Sequence, residues 1–283
     1  MANTVLDKPA VPASDLIQRC LRVDKLPHIW CPGCGHGILM RAVAQAIENK
    51  GLEKNKVCIV SGIGCSSRAA GYMDYNTLHT AHGRALAFAT GIKLANPELH
   101  VIVISGDGDA TAIGGNHFIH AARRNIGITC LVFNNSIYGM TGGQYSPLTP
   151  VNDLATTAPY GNIERPFDLV KLADAAGATY TARITTYHVR EAIKLIEKAL
   201  SNKGFSLVEG ISECPTYYGR KNKKGGAVQI MEWVKDNSID VKKAKAEGMS
   251  HEDLKGKLVI GEFKNVVEPE YTEEYRKIID RVR

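Results

Sequence analysis

No stretch of this 283-residue chain approaches the roughly 18 apolar residues that cross a bilayer, so no membrane span is expected. The opening residues, Met1 to Ser14, lack the long apolar core of a secretory signal, and a cytoplasmic protein is the expectation. Two phosphate-binding signatures are also missing. Gly62-Ile63-Gly64 has serine at position 67 where a dinucleotide fingerprint needs a third glycine, and no Gly-Lys-Ser/Thr loop exists. Neither sign of charge dominates. The 35 Lys/Arg and 29 Asp/Glu leave +6, too mild for nucleic acid to be the expected partner. Cysteines number seven, an odd count in a chain with no export signal, which argues against a disulfide framework. Internal repeats and low-complexity tracts are lacking too.

What is present is an ordinary soluble composition, 44% hydrophobic and 23% charged, long enough for a sizeable core. Val57 to Ser61, Val101 to Ser105, Ile128 to Phe133 and Phe205 to Ile211 are short, apolar and rich in β-branched residues. Such runs suit strands buried on both faces of a parallel sheet. Between them, Ile38 to Ile47 and Val189 to Leu200 carry apolar residues at helical spacing, with Gly51 and Gly204 beyond them as stops. Phe167 to Ala176 forms a third helix, closed at Gly177. The alternation predicts an α/β fold, a doubly wound and mostly parallel sheet over residues 28–213, after an N-terminal arm at 1–27. Residues 214–283 read as a charged C-terminal extension with one helix at Tyr271 to Val282. Tyr138 to Arg165, rich in Gly, Pro, Thr and Asn, reads as a long functional loop.

In doubly wound sheets, ligands bind at the carboxyl ends of the strands. Gly62-Ile63-Gly64, Gly106-Asp107-Gly108-Asp109 and Asn134-Asn135 each lie just past a predicted strand. Asp107 and Asn135 are 28 positions apart, the reach of one strand–helix–strand unit. A carboxylate and an amide oxygen at adjacent strand ends are hard donors suited to Mg²⁺. Gly106 and Gly108 let backbone approach a diphosphate, towards which a helix starting near Gly114 or Gly115 would direct its amides.

Cys31 and Cys34 form a close pair, while Cys65 and Cys214 lie far along the chain. A thioredoxin-like motif wants a preceding strand, which is missing before Cys31. Four scattered thiolates fit a [4Fe–4S] cluster or a structural zinc, and spacing alone does not choose between them. Cys20, Cys58 and Cys130 read as small apolar fillers. His79 and His82, spaced as ligands on a helix would be, read as hydrogen-bonded histidines rather than metal ligands. The basic run Arg220-Lys221-Asn222-Lys223-Lys224 reads as a solvated loop or as a docking patch for an acidic partner near Cys214.

With these residues in view, the chain resembles the β subunits of 2-oxoacid:ferredoxin oxidoreductases. The shared motifs are Cys-Pro-Gly-Cys-Gly-His, Gly-Ile-Gly-Cys-Ser, His-Gly-Arg-Ala, Gly-Asp-Gly-Asp and Asn-Asn-Ser-Ile-Tyr-Gly-Met-Thr-Gly-Gly-Gln, spread from about Leu26 to Tyr217. The resemblance implies a thiamine diphosphate-binding fold with Mg²⁺ and one [4Fe–4S] cluster. It places Cys31, Cys34, Cys65 and Cys214 on the cluster, and Asp107, Asn135 and the Ile137 carbonyl on Mg²⁺. Ile63, Gly64, Cys65, Ser66, Gly106, Gly108, Asp109, Gly139 and Met140 would line thiamine diphosphate. Arg68 would meet the substrate carboxylate, with Thr141 and Gly142 in the substrate pocket. Gly142 stands where many members carry Lys, and the Thr141 to Gln144 pattern looks like the 2-oxoglutarate members. The implied reaction is CoA-dependent oxidative decarboxylation of 2-oxoglutarate, with ferredoxin as acceptor and reversal set by electron supply. The alternatives are pyruvate or broad 2-oxoacid specificity, a non-oxidative thiamine-dependent decarboxylase, or a zinc-stabilised subunit. Thiamine chemistry also needs a carboxylate facing the aminopyrimidine. A partner α subunit is expected to supply it in an α2β2 enzyme, leaving this chain inactive alone.

Overall fold

The computed structural model describes residues 13–282; the first twelve residues of the expected N-terminal arm lie outside them. Its strands are β1 (Val57–Ser61), β2 (Asn76–His79), β3 (His100–Gly106), β4 (Ile128–Asn134), β5 (Tyr180–Thr185), β6 (Ser206–Ile211), β7 (Ser238–Asp240) and β8 (Leu258–Asn265). They form one sheet in the order β2-β1-β3-β4-β6-β5-β8-β7. From β2 to β5 the neighbours run parallel. Only β8 opposes its neighbour β5, while β7 lies parallel to β8.

The helices are α1 (Ala13–Cys20), α2 (His36–Asn49), α3 (Ala69–Tyr72), α4 (Ala85–Ala95), α5 (Gly115–Arg123), α6 (Leu169–Ala176), α7 (Val189–Ser201), α8 (Ala227–Asn237), α9 (Val241–Ala246) and α10 (Tyr271–Val282). Both faces of the sheet are covered. Because side chains alternate along a strand, Ile102 and Ile104 of β3 pack on one face with Leu39, Val43 and Ile47 of α2 and Leu195 and Ile196 of α7. Val101 and Val103 pack on the other with Leu86 and Ala89 of α4, Phe118 of α5 and Leu169 of α6. Asp168 caps α6 by accepting from the Lys171 amide, and Gly177 closes it in the left-handed region at φ 105°.

The doubly wound reading stands, and the four apolar strands lie where the sequence places them. Two strands of the parallel block escaped it. β2 is short and polar on an edge, and β5 carries Arg183 at its centre, a charge that burial tolerates because Glu209 and Asp168 pair with it at 2.7 Å each. The sheet also continues past residue 213: β8 adds to β5, α9 packs on β8, and α8 packs against the turn at Pro215–Gly219. The 138–165 segment holds no regular strand or helix, only isolated bridges such as Tyr138 to Gln144.

Candidate functional site

β3 and β4 run side by side with Gly106 opposite Phe133. Asp107, one residue past β3, thereby emerges beside Asn135, just past β4. Asp107 is buried; its carboxylate accepts from the Ser146 hydroxyl, and its carbonyl accepts from Thr111 Oγ1 at 2.6 Å. Burial pushes its carboxyl pKa up to about 7. Asn134 serves the fold instead. Its amide donates to Glu209 at 2.8 Å, and its oxygen accepts from the Ser136 amide at 2.9 Å. Asn135 turns the other way. Its side-chain oxygen lies 2.7 Å from the Ile137 carbonyl oxygen and 3.2 Å from an Asp107 carboxylate oxygen.

In this orientation the amide sets oxygen against oxygen, an arrangement that a proton donor or a cation relieves. Rotating the amide would let its nitrogen donate to both neighbours. The same rotation would strip the Ile137 amide of the oxygen it donates to at 3.3 Å. A divalent cation removes the conflict without that loss. Adjacent ligands of octahedral Mg²⁺, bound at ~2.0–2.1 Å, sit about 2.9 Å apart, between the two observed spacings of 2.7 and 3.2 Å. The donor set therefore suits Mg²⁺.

After Gly108 the chain enters one π-helical turn, Asp109–Ile113, before α5. Helical backbone thus begins well before the Gly114-Gly115 pair marked in the sequence, because Asp109 is itself locked down. Its buried carboxylate accepts from Ser105 Oγ (2.6 Å), the Ile63 amide (3.2 Å), the Gly83 amide (2.7 Å) and His82 Nδ1 (2.6 Å). Asp109 so ties three loops together, and both its oxygens are occupied. A Cβ at Gly62 would lie 2.1 Å from it, and one at Gly108 would lie 2.2 Å from the Tyr138 ring. Only glycine fits either place.

The cysteines meet at a neighbouring corner. The Gly35 amide donates to the Glu213 carbonyl (3.1 Å), and His36 Nδ1 pairs with Ser212 Oγ (2.7 Å). Together they dock the Cys31–Cys34 loop on the segment that carries Cys214. Trp30 Nε1 donates to the Cys65 carbonyl at 2.7 Å and fixes the third segment. Burial pushes the Cys34 thiol up to about 12, helped by Cys214, Cys65 and Cys31. Burial likewise raises Cys65 to about 11, with Cys214 and Cys31 contributing. Cys34 and Cys65 thus feel their neighbouring thiols, yet among the described residues no three His, Cys, Asp or Glu side chains stand close enough to share one metal ion. A single zinc at Zn–S ≈ 2.3 Å would draw its sulfurs to about 3.8 Å apart. A cubane, whose irons occupy separate corners, takes thiolates spread more widely. Four thiols brought to one corner are the donor set that a [4Fe–4S] cluster requires.

A cavity with about 610 Å³ of empty space opens between the two centres. Ile63, Gly64, Cys65, Ser66, Gly106, Asp107, Gly108, Asp109, Asn135, Ile137, Gly139, Met140 and Thr141 line it, all marked in the sequence. The buried Ser66 hydroxyl on its wall has no hydrogen-bond partner. Arg68 and Gly142 are not on the wall. Arg68 is exposed and helps lower the pKa of His79, a shift that burial leads. Gly142 sits at φ 112° beside a clasp between Thr141 and Gln144. The sequence reading did not mark Phe133 and Tyr138 on the wall; His36, two residues past Cys34, lies there as a buried, neutral histidine hydrogen-bonded to Ser212, its pKa lowered to about 4 by burial. His79 and His82 share no helix. His79 ends β2 against Ser61 Oγ (3.1 Å) and His82 pairs with Asp109, so both are hydrogen-bonded as expected.

Residues 62–210 match the family described as the C-terminal TPP-binding domain of thiamine pyrophosphate enzymes, which sets the class of the site. The chain is 53% identical over 263 residues to the 2-oxoglutarate synthase subunit KorB of Methanocaldococcus jannaschii, covering 93% of this chain and 97% of that one. It is 44% identical over 190 residues to the 2-oxoacid:ferredoxin oxidoreductase subunit beta of Saccharolobus solfataricus, covering 66% and 62%. A solved 2-oxoglutarate:ferredoxin oxidoreductase from Magnetococcus marinus, with 2-oxoglutarate, coenzyme A and succinyl-CoA bound, superposes with a TM-score of 0.84 at 32% identity, covering 100% of this chain and 94% of that one. The chain belongs to the family of β subunits of 2-oxoacid:ferredoxin oxidoreductases. Among the described residues no helix is long and apolar enough to cross a membrane.

Proposed function

We propose that this chain is the β subunit of a cytoplasmic 2-oxoglutarate:ferredoxin oxidoreductase, which turns 2-oxoglutarate and CoA into succinyl-CoA and CO₂ and passes two electrons to ferredoxin. The observation that carries the reading is the position of Cys65. Its thiol belongs to the four-cysteine corner, while its neighbours Ile63, Gly64 and Ser66 line the cavity beside the Asp107–Asn135 oxygens. A carbon-chemistry site and a one-electron site share one loop.

In this reading Asp107, Asn135 and the Ile137 carbonyl hold Mg²⁺, and Cys31, Cys34, Cys65 and Cys214 hold a [4Fe–4S] cluster. When bound, thiamine diphosphate supplies a nucleophilic carbon and an electron sink for decarboxylation, and the cluster a one-electron acceptor. The chain's own part is positioning. Ser146 orients the Asp107 carboxylate, the Asp109 knot holds the loops rigid, and the Ser66 hydroxyl donates to a diphosphate oxygen. His82, its Nδ1 proton held by Asp109, faces the same cavity with its other nitrogen free. Arg68 meets the substrate carboxylate once the α subunit closes the site. Gly142 lies off the wall, at a φ that an L side chain adopts only with strain, beside the Thr141–Gln144 clasp at the cavity's edge.

The test is the assembled αβ complex, purified without oxygen. It should contain four irons per β chain and reduce viologen with CoA and 2-oxoglutarate, at least tenfold better than with pyruvate. The β chain alone should be inactive. A colourless zinc protein, or a preference for pyruvate, overturns the respective half of the reading.

A further inference from the structure

We propose that the surface formed by the Cys31 loop and the Arg220–Lys224 turn is the docking site of a small acidic electron-carrier protein. The inference rests on the assignment of the four cysteines to a redox centre. Of the four, Cys31 is exposed, Cys34 and Cys65 are half-buried, and Cys214 is buried. Electrons leaving this corner reach the surface at Cys31.

The Cys31 loop lies directly against the tail. A Cβ at Gly33 would sit 2.4 Å from the Ala227 Cβ and 3.6 Å from Pro215 Cγ. Between Pro215 and Ala227 runs the basic turn, and it is held stiffly. The Asn222 side chain accepts from the Leu154 amide (2.6 Å) and donates to the carbonyls of Leu154 and Tyr218 (3.0 Å each). The Lys224 amide closes on the Gly219 carbonyl at 2.9 Å. Of the four cations, Lys224 faces Asp153 at 3.8 Å. Arg220, Lys221 and Lys223 are exposed and make no ion pair among the described residues. Flanking the loop, Ile29 and Val228 are 65% and 64% exposed.

Unpaired cations on a stiffly held turn, beside a small apolar patch, have the make-up of a transient electron-transfer interface. Opposite charge steers the encounter, and a little apolar contact holds it briefly. The sign of the charge selects an acidic carrier. Each encounter moves one electron from the reduced centre to the oxidised cluster of the carrier, with no bond made or broken. Two encounters clear the two electrons released per 2-oxoacid.

The test is the Kd of the assembled complex for an oxidised, acidic two-[4Fe–4S] ferredoxin, measured by calorimetry at low and high salt. The double variant Lys221→Glu/Lys223→Glu should weaken binding about tenfold or more and flatten its salt dependence. The control Lys242→Glu/Lys245→Glu, an equal charge change on α9, should leave Kd within about twofold. Unchanged binding in the first pair, or an equal loss in the control, overturns the proposal. Viologen reduction by the same samples separates the two ideas. If the unaltered complex reduces no viologen with any 2-oxoacid, the enzymatic reading fails while the Kd still judges the surface.

Discussion

Below the sheet, at the amino ends of β4 and β6, Asn125 and Glu270 have partners for their buried atoms. Asn125 accepts from Thr179 Oγ1 (3.0 Å) and the Phe205 amide (2.8 Å) and donates to the Pro269 carbonyl (3.0 Å). Glu270 accepts from the Gly127 amide (2.7 Å), the Thr272 hydroxyl and the Glu273 amide (2.9 Å). Above the sheet, at the carboxyl ends of β3 and β4, the oxygens of Asp107, Asn135 and Ile137 face one another, and the Ser66 hydroxyl is unpartnered. Asn125 and Glu270 are satisfied from within the fold, whereas the groups around Asp107 are not. An unmet buried polar group costs about 1–3 kcal/mol, so the unsatisfied end is stable only because the remaining core outweighs it, and a ligand recovers the difference.

This contrast can be broken by mutation. Asp107→Ala should cut 2-oxoacid oxidation by about 10³-fold or more, since the metal contributes several kcal/mol of charge stabilisation. The melting temperature of the cofactor-free protein should not fall; retained activity would show that the oxygens hold nothing essential. Cys65→Ser should lower the iron content and abolish viologen reduction while leaving thiamine diphosphate titration nearly intact; full iron occupancy would remove Cys65 from the ligand set. Asp109→Ala strands four donors, and a loss of about 3 kcal/mol, or ~10 °C in melting temperature, should follow. Calorimetry that found no loss would mean the loops are held elsewhere. Ser146→Ala should weaken Mg²⁺ activation by about 10–100-fold without altering stability, as expected of a group that orients a ligand.

The smallest effect belongs to the satisfied end. Glu270→Ala should cost about 1–2 kcal/mol and leave kcat unchanged. Burial alone would raise the Glu270 pKa, but hydrogen bonds from Thr272 and from the amides of Glu273, Thr272 and Gly127 outweigh it and hold it below the ordinary glutamate value. Its folded-state pKa is depressed, so its contribution is complete above the unfolded value and disappears as pH falls through the folded one. Acid titration of unfolding should therefore converge for wild type and Glu270→Ala at low pH. A gap that persisted there would contradict the assignment.

The diphosphate end was legible because its residues follow strands that announce themselves. Val101 to Ser105 and Ile128 to Phe133 are unbroken apolar runs, and whatever follows such runs in a parallel sheet must face the ligand side. β5 and β8 were illegible for the opposite reason. Arg183 and Glu262 sit in strands only because other segments bring them partners, Glu209 and Lys198, across the sequence. Tyr138 against Gly108 and His36 against Phe133 left no local trace either, since ring contacts between remote segments have no periodicity. The π-helical turn at Asp109 falls in the same category, since it answers to hydrogen bonds from two other loops, at Ile63 and at His82–Gly83.

By itself, the order of residues determined the alternating fold, the pairing of Asp107 with Asn135 across one crossover, and the candidate thiols. Those follow from period, spacing and donor chemistry, which are properties of short segments. Only the folded chain decided that the side chains of Asp107 and Asn135 and the Ile137 carbonyl converge, that Asp109 is a knot, and that Cys31 is the most exposed of the four thiols. Each of these depends on which distant groups arrive at the same place, and burial and hydrogen bonding act on that arrangement through distances that a linear sequence does not contain.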